Sequence, residues 1–457
     1  MSDQSSETKQ SVNFKTLLFF FIPLGFSASL VTISHVIINS TLARAPNPAV
    51  VIASYSIAMS LFGIMERCAV ILRQTCSTLV RDQISYRLMR NVTVYVLTAI
   101  LFLSLVIAYS PIGRSFFSIL LGVSDEMLQP TIEAYRVLMF VTIFSGIRCL
   151  YQGVIISNLK TKWLTIGMMV RLAFMSFIAW IVLANDWVNH GYVGAYIFLA
   201  GMAVEALVSS LEGRIIVKEL PPKKEKHPIF QQSQIFRFYN PLLIASLIAV
   251  SIPPTINAVL GWSTKAEIAI ASFAVAISVV HLLNSITSYI HQIVINFYKK
   301  DKKQVLHFTI IVSLLPSILL TVLSYTPIGT WGGLENIIGV SDELLDQSIL
   351  TLRFFVIFTL CFPWVDFCNG ILMIRSQTKV MSFSQIGNVI ATVAALLILI
   401  YTVPNGGGFI GALAQSIGFL MELIILLYFL NMKGKNAAIS LWLKNNIRRG
   451  GYRMIKG

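Results

Sequence analysis

The chain has 457 residues, of which 56% are hydrophobic and only 12% charged, and its formal net charge is +15. A soluble protein carries about a quarter charged residues, so this composition excludes a soluble globular protein and indicates a surface that largely faces lipid. Apolar stretches of about 20 residues, long enough to cross a bilayer, recur from one end of the sequence to the other.

These stretches predict an all-α polytopic membrane protein with twelve transmembrane helices. The first six spans are predicted at residues 15–38, 50–80, 92–110, 131–157, 163–184 and 191–213. The last six are predicted at residues 237–261, 267–297, 305–326, 347–374, 380–402 and 408–430. The first apolar run is longer than a signal-peptide core and has no small-residue cleavage pattern, so it is interpreted as a retained span.

A polar segment that contains Pro221 and Pro222 divides the spans into two sets of six. The predicted organisation, in chain order, is a cytoplasmic N-terminus at 1–14, an N-terminal six-helix bundle at 15–213, a cytoplasmic linker at 214–236, a C-terminal six-helix bundle at 237–430 and a basic cytoplasmic tail at 431–457.

Basic residues outside the spans fall almost entirely on one side of the predicted membrane. With the N-terminus inside, only Arg44, Arg114 and Lys265 are placed outside. The positive-inside rule therefore predicts a multi-pass protein of the cell membrane with both termini in the cytoplasm. The anionic inner leaflet is a sufficient partner for the basic tail, so the positive net charge does not require nucleic acid.

The two sets of spans are copies of one unit. Three pairs of segments recur at a nearly constant offset: Ala53–Ser60 with Ala271–Ser278, Gly122–Glu126 with Gly339–Glu343, and Thr161–Lys162 with Thr378–Lys379. Because six is an even number, both copies enter the membrane in the same sense and are parallel repeats. In transporters, such halves enclose a central cavity and rock against each other to give alternating access.

Seven arginines lie within or at the edge of the spans. Arg136, Arg237 and Arg353 are near the ends of spans, where a long side chain can snorkel to the interface. The other four, Arg67, Arg73, Arg148 and Arg171, are deeper. An arginine at a helix centre costs about 2.5–3.5 kcal/mol on insertion scales, so each deep arginine predicts a water-filled cavity or an acidic partner.

Polar residues form one stripe along the second span. At 100° per residue, Ser60, Gly63, Arg67 and Gln74 share a face, and Glu66 with Arg73 lies on its flank. The repeat-related eighth span carries its own polar face, with His281, Asn284 and His291. The two helices are interpreted as facing walls of one cavity, while a structural polar zipper between helices remains an alternative.

The residues predicted to bind substrate are those of both walls and the neighbouring arginines: Arg67, Arg73, Arg148, Arg171, His281, Asn284 and His291. The acids that could couple transport to an ion, or pair with the arginines, are Glu66, Glu205 and Asp366. An excess of arginine favours an anionic substrate, since the guanidinium fork donates two hydrogen bonds to phosphate or carboxylate. No metal site and no cofactor are predicted, and the cysteines are interpreted as packing residues.

The architecture resembles the multidrug/oligosaccharidyl-lipid/polysaccharide (MOP) exporter superfamily and its MATE-like fold. Short stretches resemble the progressive ankylosis protein family; these are Ile22–Gly25, Ala53–Tyr55 with Ser60–Leu61, and Ile337–Val340 followed by Leu352–Phe354. The superfamily resemblance implies alternating access driven by a membrane gradient. The second resemblance implies export of small anions such as pyrophosphate, nucleotides or citrate. The first and seventh spans lack the acids that cation-coupled drug exporters of the superfamily carry there.

The sequence predicts a secondary-active, alternating-access exporter or flippase for an anionic substrate, phosphate-bearing or amphiphilic. The substrate is expected to be a small molecule or lipid-linked, and the protein a monomer, because two halves already complete a cavity. The alternative is a proton- or sodium-coupled multidrug antiporter for organic cations. An enzyme is not predicted: the acidic pairs Asp125-Glu126 and Asp342-Glu343 are placed on outside loops, and no Walker A sequence is present.

Overall fold

The computed structural model describes residues 12–120, 125–223, 229–326, 342–403 and 406–431. Residues 1–11, 121–124, 224–228 in the linker, 327–341, 404–405 and the basic tail beyond 431 lie outside the described residues, and with them parts of the repeat pair Gly122–Glu126 and Gly339–Glu343. Helices of the first half are α1 Phe14–Leu42, α2 Pro48–Leu79, α3 Gln83–Tyr109, α4 Pro111–Ser115, α5 Asp125–Ser157, α6 Lys162–Ala184 and α7 Tyr192–Glu219, with a short π-helix at Phe116–Leu120 between α4 and α5.

Helices of the second half are α8 Gln232–Leu260, α9 Ala266–Ser285, α10 Ile290–Phe297, α11 Lys302–Tyr325, α12 Asp342–Phe354, α13 Val356–Ile374, α14 Thr378–Thr402 and α15 Phe409–Asn431. Among the described residues, 12 segments are long and apolar enough to span a membrane, with α9 and α10 forming one of them. The prediction of an all-α, twelve-span membrane protein is therefore confirmed.

The helices differ from the predicted spans at several places, among them one helix start and one break within a span. The third helix begins at Gln83, well before the apolar run, because Asp82 caps it: its Oδ1 accepts a hydrogen bond from the Ser85 backbone N–H at 2.8 Å. The predicted eighth span is interrupted between Ser285 and Ile290, where the backbone forms turns instead of helix. Hydropathy shows neither feature, since polar first turns and short breaks change the apolar pattern little.

Side-chain contacts repeat between the halves. Thr165 on α6 donates to the carbonyl of Pro23 at 2.9 Å, and Ser382 on α14 donates to the carbonyl of Pro241 at 2.6 Å. The Nε of Arg136 donates to a carbonyl at the end of α3 at 3.2 Å, and Arg353 does the same at the end of α11 at 3.0 Å. These two arginines therefore cap the C-terminal ends of the preceding helices. They have hydrogen-bond partners within the protein and do not depend on snorkelling to the interface.

Glycines set the same helix crossing in each half. A Cβ at Gly153 would lie 2.5 Å from the Cys76 Cβ, and a Cβ at Gly370 would lie 2.8 Å from the Val294 Cβ. Both glycines let the fourth span of their half pack directly on the second. Duplication of this crossing, together with the paired hydrogen bonds, supports two parallel six-helix repeats.

Replacing Gly153 by alanine is expected to destabilise the protein by about 1–3 kcal/mol, because the added methyl group overlaps Cys76 and neither backbone can move freely. Thermal unfolding of the purified protein measures the effect. Gly63→Ala is the matched control, since no atom lies within 4 Å of its added Cβ. An equal melting temperature for the two variants would contradict the tight crossing.

Three apolar cores show how the halves meet. One core belongs only to the first half and includes Ile38 and Tyr135, and one belongs only to the second half and includes Ile256 and Phe273. The third core joins both halves at the end where α1 begins, and it includes Leu17. The two bundles therefore share a core at that end of the molecule and separate into independent cores at the other end, as the arms of a V.

Candidate functional site

A cavity of about 510 Å³ lies between the two halves, above their shared core. Its walls come from α1, α2, α5, α6 and α7 on one side and from α9, α10 and α13 on the other. The structure places all seven predicted substrate-binding residues in this lining: Arg67, Arg73, Arg148, Arg171, His281, Asn284 and His291. Glu66 also lines the cavity, whereas Glu205 and Asp366 lie directly behind lining residues.

The α2 wall contains two arginines that differ in exposure and in hydrogen bonding. Arg67 is exposed to the cavity and forms no ion pair or hydrogen bond with any residue that the structure describes. Arg73 is half-buried; its Nη1 donates to Gln152 Oε1 at 3.3 Å, and its guanidinium lies 5.2 Å from the centre of the Tyr289 ring. Tyr289 belongs to the second half, so Arg73 spans the base of the cavity.

Behind this wall, Glu205 on α7 joins two arginines. Its carboxylate accepts a hydrogen bond from Arg171 Nη1 at 2.9 Å and from Arg148 Nη1 at 3.2 Å, and all three residues are buried. Gln152 donates to the same carboxylate at 3.0 Å. A buried charge needs a partner of opposite sign, so the Glu205 carboxylate compensates the charge of the two arginines buried in the first half.

Glu66 balances part of the remaining charge. Its Oε1 accepts from the Ser145 hydroxyl at 2.9 Å and from Arg148 Nη2 at 3.4 Å. Arg148 is therefore held between two carboxylates, while Arg171 stacks its guanidinium 5.0 Å from the centre of the Phe198 ring. The lining carries four arginines against one glutamate, and Arg67 and Arg73 are the two that form no ion pair with a carboxylate of the described residues.

The opposite wall contains a histidine oriented by an acid. Asp366 on α13 accepts from the backbone N–H of His291 at 2.8 Å, and the His291 Nδ1 lies 3.0 Å from both carboxylate oxygens. The Tyr289 ring is stacked at 6.1 Å from the His291 ring. Arg73, Tyr289, His291 and Asp366 thus form a continuous series of contacts from the first half to the second.

The closed end of the cavity is sealed by contacts between the halves. Apolar rings meet there, with Phe20 on α1 edge-on to Phe297 on α10 at 5.2 Å. Gln292 donates to the Ser77 hydroxyl at 3.1 Å, and the Tyr239 hydroxyl donates to the Cys68 carbonyl at 2.9 Å. A solute in the cavity is therefore separated from the end of the molecule where α1 begins.

The structure reveals a relation that the sequence analysis missed. Glu205 and Glu422 occupy the same place in the two halves, and Arg171 corresponds to Asn388. Glu422 accepts hydrogen bonds from Asn388 at 2.7 Å and from Gln385, and it is fully buried. The constant offset between the two repeats could have predicted this correspondence from the sequence. One carboxylate is thus kept in both halves, with arginine partners in the first and amide partners in the second.

Aromatic residues of the lining were also missed. Phe198, Tyr289 and Phe362 contribute to the walls, and the first two stack on arginines. Nothing in their spacing distinguishes them from other apolar residues of the spans. In the part of the chain that the structure describes, no group of three or more histidine, cysteine, aspartate or glutamate residues could hold a metal ion.

Several solved structures have the same architecture as this chain. A MOP superfamily transporter from Pyrococcus furiosus, whose reversed binding-pocket polarity is described as suggesting a different function, aligns with a TM-score of 0.73 and 16% identity over 95% of this chain and 98% of that chain. A MATE structure in complex with MaL6 aligns with a TM-score of 0.74 and 16% identity over 94% of this chain and 98% of that one.

An outward-facing multidrug resistance MATE family transporter of the same superfamily aligns with a TM-score of 0.70 and 16% identity, over 95% of this chain and 98% of that chain. No protein-family model and no curated protein matches the sequence. At this identity the likeness shows the fold, and the predicted MATE-like fold is confirmed. The resemblance to the progressive ankylosis family remains a prediction.

Proposed function

We propose that this chain, a multi-pass membrane protein with the MATE-like fold of the MOP superfamily, is an alternating-access exporter or flippase for an anionic substrate. The observation that carries the proposal is the pair Arg67 and Arg73 in a cavity that is closed at one end by contacts between the halves. With other arginines already paired, these two are available to a ligand. Guanidinium groups favour phosphate and carboxylate because they donate paired hydrogen bonds.

In the expected transport cycle, the two six-helix bundles move against each other and open the cavity to one side of the membrane at a time. In the present state the halves share a core at the end of the molecule where α1 begins, which the basic residues assign to the cytoplasm, so the cavity faces outward. Breaking the seal and closing the opposite end would face the same arginines to the cytoplasm, where an anion would bind. A single chain contains the complete cavity, which favours a monomer, and the fold is one of transporters rather than enzymes.

The test is uptake into proteoliposomes of radiolabelled pyrophosphate and glucose 1-phosphate, for wild type and for Arg67→Ala/Arg73→Ala. Anion flux is expected to fall by at least about tenfold in the double variant, since loss of one charge-assisted hydrogen bond alone costs about 1.5–3 kcal/mol. Arg237→Ala is the control, because Arg237 is an exposed arginine on α8 that does not line the cavity. Anion flux that persists in the double variant would refute the proposal.

A second candidate is a proton- or sodium-coupled antiporter for organic cations. The presence of Glu66 in the cavity lining favours it, since a carboxylate in the wall could meet a cation. Its contacts with Ser145 and Arg148 weigh against it, because they occupy the acid. The same proteoliposomes, loaded with a lipophilic fluorescent cation, separate the two. Gradient-driven cation flux that Glu66→Gln abolishes and the arginine variant preserves would favour the antiporter.

A further inference from the structure

Asn284 carries an amide without hydrogen bonds in the wall of the cavity. It lies on α9, is 3% exposed, and neither its Oδ1 nor its Nδ2 has a partner among the residues that the structure describes. Leaving a buried donor or acceptor unpaired costs about 1–3 kcal/mol for each group. Since the side-chain amide forms no hydrogen bond within the described part of the chain, its hydrogen-bonding capacity is available to a ligand.

His291 adds a second unpaired group on the same side. It is 3% exposed, and its contacts to Asp366 involve the backbone N–H and Nδ1, which fixes the ring. The remaining Nε2 has no partner within the described part of the chain. With a proton on Nδ1, a neutral ring presents Nε2 as an acceptor. This wall therefore offers both donors and acceptors.

The two walls differ in what they can recognise. Arg67 and Arg73 only donate, and they carry positive charge, so they suit an anionic group. The Oδ1 of Asn284 is an acceptor that an anionic oxygen cannot satisfy, because two acceptors repel each other. A hydroxyl or amide group can both donate and accept, and it satisfies this wall. The cavity, at about 510 Å³, is also much larger than an inorganic anion.

We propose that the cavity selects an anion that also carries a hydroxyl- or amide-bearing group, with the anionic end on the α2 arginines and the uncharged polar end on Asn284 and His291. This inference rests on the proposed function, since it assumes that Arg67 and Arg73 bind the anion. It assigns Asn284 and His291 the role of distinguishing such compounds from simple or apolar anions. Asp366 acts through His291 as a positioning residue.

Two phosphate monoesters test the proposal. Glucose 1-phosphate carries hydroxyl groups, and benzyl phosphate carries an apolar ring on the same anionic group. Calorimetric titration of the purified full-length protein is expected to show at least tenfold tighter binding of glucose 1-phosphate. Asn284→Leu is expected to remove most of this preference by weakening glucose 1-phosphate about tenfold, as one lost hydrogen-bonding group predicts, while the Kd for benzyl phosphate stays unchanged.

The unchanged benzyl phosphate Kd is also the control for an intact site. Ser278→Ala is a matched variant on α9, because among the described residues the exposed Ser278 hydroxyl donates to the Ala274 carbonyl of its own helix and to no other group. This variant should retain the preference. If Asn284→Leu does not fold, His291→Phe keeps an aromatic ring in place of the imidazole, removes both Nδ1 and Nε2, and should reduce the preference in the same way.

The outcomes separate the two proposals. Equal binding of both monoesters, or a preference that survives in Asn284→Leu and His291→Phe, would overturn this inference and leave the anion exporter standing. Failure of both monoesters to bind the wild type would contradict the arginine site itself and both proposals with it. A preference lost in the Asn284 or His291 variant and retained in Ser278→Ala supports the two-ended substrate.

Discussion

Replacing Glu205 by glutamine is expected to destabilise the protein by about 3–5 kcal/mol, the range measured when one partner of a buried ion pair is removed. The substitution keeps the shape of the side chain and removes only its charge. Arg171 then has no carboxylate, and Arg148 retains only Glu66 at 3.4 Å. Thermal unfolding of the purified protein, followed by gel filtration, measures the loss, and the yield of folded protein in membranes should fall with it.

Glu422→Gln is the matched control for this prediction. Glu422 has the same position in the second half and is equally buried, but its partners are the uncharged Asn388 and Gln385. Neutralising it strands no cation, and amide groups can turn to restore hydrogen bonds. We expect a loss of less than about 1.5 kcal/mol, as for one neutral hydrogen bond. Similar melting temperatures for the two variants would show that the arginine pairing of Glu205 contributes little.

A disulfide between positions 29 and 285 is expected to stop transport. The hydroxyl oxygens of Ser29 on α1 and Ser285 on α9 lie 2.9 Å apart across the two halves. Cysteine sulfur atoms at these two positions would therefore start near contact, and rotation of the side chains has to bring them to about 2.05 Å, the length of a disulfide bond. In Ser29→Cys/Ser285→Cys, oxidation would tie the arms together, and transport should fall at least about tenfold and recover on reduction, because alternating access requires the halves to move.

The experiment requires a background without the native free cysteines Cys68, Cys76, Cys149, Cys361 and Cys368. Ser29→Cys alone is the control, and it should transport equally under oxidising and reducing conditions. A gel shift after labelling of free thiols reports how much of the double variant is cross-linked. Full transport by a completely cross-linked protein would mean that α1 and α9 do not separate in the cycle.

Helical periodicity was sufficient to predict that polar residues of α2 and α9 line the same cavity. Polar side chains on α2 and α9 repeat at helical spacing, and the duplication relates the two helices, so their faces were expected to oppose each other. The structure places Arg67 and Asn284 in the walls of one cavity. This part of the site follows from sequence because it depends only on local spacing and on the symmetry of the repeat.

The pairing of charges could not be predicted in the same way. Glu205 was considered with Glu66 as a coupling candidate, yet which arginine it meets depends on how α5, α6 and α7 pack. Sequence spacing does not give the distances between side chains on different helices. The break after Ser285 was missed because the segment Ile268–Phe297 is apolar as a whole and neither proline nor glycine marks the four turn residues.

The break at residues 286–289 makes the second-half wall of the cavity more easily bent than the α2 wall. The α2 helix is continuous from Pro48 to Leu79, so Arg67 and Arg73 move as one rigid unit. Residues 286–289 are not helical, and Gly25 on α1 packs so closely against them that an added Cβ would lie 2.9 Å from the Ile286 carbonyl oxygen. Bending there would change the angle between Asn284 and His291 and would also move Tyr289, whose ring lies 5.2 Å from the Arg73 guanidinium, while Arg67 forms no hydrogen bond with the residues of the break. The anionic end of a ligand would thus keep its contact with Arg67 on the rigid α2 helix, while a change of torsion in a few residues of the break would release its other end.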